Sequence, residues 1–94
     1  TEIYTLSLHD ALPIYKIDNN LLKIILKRTK IVKKVLTLKS YKKEIIDKKR
    51  IASILNKIKK ESLKKNIDPK ITQRIWKNMI WSYINYEKKN FRKK

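Results

Sequence analysis

The chain has no cysteine and no glycine, one histidine and two prolines among its 94 residues. Without cysteine there is neither a disulfide nor a thiolate metal site. Without glycine there is no phosphate-cradling loop and no oxyanion turn of the glycine-rich kind. No apolar run approaches the roughly 18 residues needed to span a bilayer, so no membrane contact is expected. The single histidine, His9, lies in a segment set apart below, which removes histidine as a base or metal ligand. What is left for chemistry is charge held in shape. Neither a nucleophile, a metal nor a cofactor is expected.

Residues 1–14, TEIYTLSLHDALPI, contain no lysine or arginine, although the remaining 80 residues hold all 26. The string resembles the in-frame translation of a common sequencing-library adapter oligonucleotide, without a gap from Thr1 to Ile14. It is therefore expected to be a non-native segment and is excluded from fold reasoning. A targeting role fits poorly, because the basic start and long apolar core of a secretory signal are both missing. Residues 15–94 are then a helical domain whose natural beginning is expected to be absent, and Pro13 is expected to fray or break the first helix.

Setting aside Glu2 and Asp10 leaves 26 basic against six acidic residues, a net charge of +20 on residues 15–94. Such an excess points to nucleic acid or to an anionic surface. Lysine, isoleucine and asparagine also dominate, however, and these are residues of A+T-rich codons. The basic residues are spread along every segment, so the charge reads as a solvated surface and no nucleic-acid partner is expected.

The periodicity describes three helices, with no repeat, no linker and no strand-like alternation. The first runs from about Ile17 to Leu38, with a stripe through Leu21, Ile25, Val32 and Val35. Residues 40–46 form a short connection. The second helix starts near Asp47, a plausible cap, and carries Ile51, Ile54, Leu55, Ile58 and Leu63 to about Asn66. Asp68-Pro69 is an N-cap acid followed by proline at the first helical position. The third helix then carries Ile71, Ile75, Trp76, Met79, Ile80, Tyr83, Ile84 and Tyr86. Trp76 and Trp81 read as packing aromatics. The first helix is too long for the other two to cover, so a homodimer is expected to complete the core.

Five polar residues stand in or beside these stripes: Arg28, Lys39, Asp47, Arg50 and Glu87. Eleven residues make nearly three helical turns, so Arg28 and Lys39 are expected to share a face, roughly 16 Å apart. Two such cations could close on a small dianion from both sides. Asp47 and Arg50 add an acid and a bidentate cation. Taken singly, each charge could equally be a stripe-edge residue that reaches to water.

The ordered set Ile17-Asp18, Leu21-Leu22, Arg28, Lys39, Asp47-x-x-Arg50, Ile67-Asp68-Pro69 and Ile75-Trp76-x-x-Met79-Ile80-x-Ser82 resembles the all-helical, AroQ-class chorismate mutases over residues 15–91. The resemblance implies an all-α, intertwined homodimer of three-helix subunits in the cytoplasm, with an arginine from the partner completing each site. It implies chorismate as substrate and prephenate as product, in phenylalanine and tyrosine biosynthesis. A pericyclic rearrangement needs only a dianion held in a compact conformer and stabilisation of charge on the ether oxygen. Carried over, Arg28 clamps a carboxylate, Arg50 lines the anionic site, and Lys39 reaches a carboxylate and the ether oxygen. Asp47 accepts from the substrate hydroxyl or orients the cations. Glu87 stands where many members place a glutamine that donates to the ether oxygen. An acid can donate only while it holds its proton.

Three positions depart from the family pattern. The arginine seven residues before Asp18 is replaced by Ala11. The glutamate after the second-helix arginine is Ile51, and the small hydroxyl residue four before Glu87 is Tyr83. Both Ile51 and Tyr83 thus fall at substrate-lining positions, and the present chain is expected to be an impaired enzyme. The alternatives are a non-catalytic regulatory relative and a basic helical nucleic-acid module. The latter predicts charges gathered on one exposed face and apolar residues at positions 28, 39 and 50.

Overall fold

The computed structural model describes residues 8–92. Its elements run in the order α1 (Leu8–Leu38), a short 3-10 helix (Lys42–Ile45), α2 (Lys48–Lys64) and α3 (Pro69–Asn90), with no strand among the described residues. Two compact units divide the chain at Lys34/Val35.

The first unit, as far as it is described, is the greater part of α1. The break expected at Pro13 does not occur, because α1 continues through the proline. Proline removes the one backbone bond that would end on the His9 carbonyl, near the helix end where such bonds are fewest. Thr29 Oγ1 donates back to the Ile25 carbonyl at 2.8 Å, one turn earlier. Of the apolar stripe read from the sequence, Leu21, Ile25 and Val35 are exposed and Val32 is half-buried, and Ile17, Leu22 and Ile24 are exposed beside it, while Ala11 is buried.

In the second unit, Leu36, Ile45, Ile80 and Ile84 form the buried core, with Ile46, Ile51, Ile54, Leu55, Trp76 and Phe91 packed around it. Ile80 and Ile84 stand four apart and so point from one face of α3. Ile45 comes from the connection, which folds as a 3-10 turn closed by Glu44 N–H to the Tyr41 carbonyl at 3.0 Å. The Tyr41 N–H donates in turn to Glu44 Oε1 at 3.1 Å.

The helix starts are those the sequence announces. Asp47 Oδ1 accepts from Arg50 N–H at 3.0 Å, and Asp68 Oδ1 accepts from Lys70 N–H at 2.9 Å. Both satisfy donors that a helix N-terminus leaves open.

The end of α2 shows how a chain without glycine turns a corner. Asn66 takes φ 58°, Ile67 N–H donates to the Ser62 carbonyl at 2.9 Å and Asn66 N–H to the Leu63 carbonyl at 3.3 Å. This is the Schellman pattern with asparagine in the left-handed position usually held by glycine. Ser62 is buried, and its Oγ donates to the Ile58 carbonyl at 2.7 Å and shares a 2.7 Å hydrogen bond with Thr72 Oγ1. Gln73 Nε2 donates to the Leu55 carbonyl at 2.8 Å. These bonds pin α3 to α2 beside the corner.

Trp76 packs on the core as the sequence suggested, but Trp81 does not. It stands 46% exposed on α3, as do Ile71 and Ile75 at 56% and 52%. Position 81 falls about 100° around the helix from Ile80, outside the arc that faces α2.

Two substitutions test this account by urea unfolding. Ile84→Ala should lose about 2–5 kcal/mol, since it empties a core site. Asn66→Val should lose about 1–2 kcal/mol, the penalty of a β-branched residue in the left-handed region, whereas Asn66→Gly should be neutral or stabilising.

Candidate active site

The row Ile80, Ile84, Glu87 steps by four and then three residues, so the carboxylate stands on the same face as two core isoleucines. Glu87 is accordingly buried. Leu36 enters the core from the last turn of α1, and three residues later comes Lys39. Packing Leu36 against Ile80 and Ile84 carries their charged neighbours to one place. There Lys39 Nζ donates to Glu87 Oε1 at 3.1 Å, with the two side chains 19% and 9% exposed.

At this separation the Coulomb attraction is about 5 kcal/mol for an effective dielectric near 20. Desolvating each ion costs several kcal/mol, so the net contribution of the intact pair to stability is small. The pair is better understood as a concentrated, half-enclosed dipole. An ammonium and a carboxylate side by side offer a donor to an incoming anion and a carboxyl that can exchange its partner.

The first helix ends where the sequence placed its end. α1 ends at Leu38, and Lys39 N–H donates to the Leu36 carbonyl at 3.2 Å. Lys39 thus lies one residue beyond the helix, and its direction is set by a tight turn. Arg28 is half-buried on α1 in the first unit.

The other expected site residues occupy mixed positions. Asp47 has become the cap of α2, and Arg50 lies exposed in the first turn of that helix. Ile51 packs against the core, and Tyr83 is half-buried on α3. The structure therefore joins the side chains of Lys39 and Glu87, whereas Asp47 meets Arg50 only at its backbone N–H. Ile45 was missed as a supporting residue, because it sits in the connection. The adjacent pair Ile45-Ile46 in an otherwise charged stretch was the available signal. Among the described residues no group of histidine, cysteine, aspartate and glutamate could hold a metal ion, and no helix is long and apolar enough to cross a membrane.

The described chain is all-helical, with a lysine and a glutamate paired inward beside its core. The chain belongs to the chorismate mutase type II family, whose model covers residues 13–88. It is thus an isomerase of aromatic amino acid biosynthesis with chorismate as its substrate. No curated protein and no solved structure gives a significant match.

Removing one member of the Lys39–Glu87 pair leaves a charge buried alone. Lys39→Met should destabilise the fold by about 3 kcal/mol. Lys39→Met combined with Glu87→Leu should recover most of that loss in a double-mutant cycle. A cycle with no coupling would show the two side chains to be independent in solution.

Proposed function

We propose that the chain rearranges chorismate to prephenate as a homodimer, with Lys39 and Glu87 acting at the ether oxygen and Arg28 and Arg50 on the carboxylates. The observation that carries this reading is the inward-facing Lys39–Glu87 pair inside the segment that matches the family. In the free protein Lys39 donates to Glu87. A substrate carboxylate that takes over the ammonium releases Glu87, which is a donor only while it holds its proton. Glu87 can then donate to the ether oxygen as the C–O bond breaks and charge develops there. Arg28 and Arg50 hold the dianion folded so that the new carbon–carbon bond forms within the bound conformer. Asp47, while capping α2, steers Arg50 and accepts from the substrate hydroxyl. Ile51 and Tyr83 line the substrate.

The dimer reading is supported by the exposed apolar residues along α1 and by Ile71 and Ile75 on α3. A second copy would cover such surfaces, and sedimentation at micromolar concentration should show a dimer. We further propose that residues 1–14 are foreign to the protein, that its compartment is the cytoplasm, and that this chain is a weak mutase. Ala11 stands where the family pattern places the partner-contributed arginine, and a methyl group cannot form a charge-assisted fork with a carboxylate.

Loss of chorismate absorbance tests the assignment. Glu87→Ala should lower kcat by about 10²–10³-fold, the usual loss of one transition-state donor. Glu87→Gln, whose amide keeps a donor at the same place, should retain far more activity than Glu87→Ala. A near-neutral Glu87→Ala would reduce Glu87 to a structural role. Replacing residues 1–14 by a helical start that carries arginine at position 11 should raise activity. Equal activity in both chains would show that no partner arginine is needed.

A further inference from the structure

Four of the five basic residues of α3 gather on one face of the helix, Lys89 standing apart. Lys70, Arg74, Lys77 and Lys88 follow steps of four, three and eleven residues, and all four are exposed. At about 100° per residue they fall within roughly 60° of the helix circumference. Trp81 lies in the middle of the same strip with 46% of its surface open. Glu87 is the sole acid from Pro69 to Asn90, and it is turned inward to Lys39. Lys70 to Lys88 spans about 27 Å along the axis, with no carboxylate on that face of α3.

We propose that this strip is a binding surface for single-stranded nucleic acid, separate from the chorismate site. Cations repeated along one face track a phosphate backbone. An exposed indole among them offers a stacking platform for unpaired bases, whose ring faces a duplex would hide. Charge complementarity names the occupant. Four exposed cations with no acid on their face meet a polyanion, whereas the apolar residues that a second copy would cover, Ile71 and Ile75, lie outside the strip. The strip supplies the gathered, exposed charge that a linear reading of the sequence did not reveal. Positions 28, 39 and 50 remain cations, so the surface is an addition to the mutase site. Because Lys39 and Glu87 face the core side, occupation of the strip leaves them in place.

The test is fluorescence anisotropy of labelled short oligothymidylate and oligouridylate with the full chain, checked by circular dichroism of each variant. Four phosphate contacts predict a slope of about −3 for log affinity against log salt. Trp81→Ala should weaken binding about tenfold, the loss of one base stack, while Trp81→Phe should retain most of it. Arg74→Glu with Lys77→Glu should weaken binding more than Lys57→Glu with Lys60→Glu, which removes equal charge from the exposed face of α2, where no aromatic stands. In a Trp76→Phe background the remaining Trp81 emission should be quenched on binding, a readout that needs no disruptive variant. All strip variants should turn over chorismate as the parent does. Equal losses from the α2 and α3 charge reversals, with unquenched Trp81, would overturn the proposal and leave only general polyelectrolyte attraction. Capture of anionic vesicles through Trp81 without oligonucleotide binding would overturn it in favour of a membrane surface.

Discussion

Glu87 is a carboxylate in a row of core isoleucines, and a buried charge is tolerated only with a partner. That requirement ties the end of α1 to the end of α3. Lys39 must arrive within hydrogen-bond distance of Glu87, so the chain has to turn immediately after Leu38. The 3-10 turn of the connection then delivers Ile45 to the same cluster that holds Leu36, Ile80 and Ile84. The site and the core are therefore one construction. The residues that bury the isoleucines also aim the charged pair.

The chemistry assigned to the family makes modest demands on such a construction. A rearrangement within one molecule requires no transfer to or from the protein, only a bound shape and charges placed where charge develops. Such a site tolerates the loss of almost every reactive residue type, which accords with a composition that lacks cysteine and glycine. The same composition shapes the backbone. Asn66 takes the left-handed corner position because no glycine is present to take it.

Surface charge and active-site charge follow different rules here. On α3 the exposed cations stand beside Trp81 without acids on their face, whereas the inward pair is matched one to one. A solvated lysine pays little electrostatic penalty, so it can accumulate wherever water is the neighbour. A buried lysine is held to its partner by desolvation. This difference separates the exposed cations of α3 from the paired charges at the core.

Much of the fold was legible in the chain itself. Asp47 and the Asp68-Pro69 pair mark helix starts by local hydrogen bonding, and the isoleucine spacing marks the α3 face, because both depend on neighbours within one turn. The ordered set of charged positions also pointed to the family. Tertiary structure alone decided that α1 passes through Pro13 and that Trp81 is open while Trp76 packs. It also decided that Glu87 pairs with Lys39, 48 residues away. These outcomes depend on which faces meet, and burial of a particular side chain is a property of the packed neighbours that no local pattern contains.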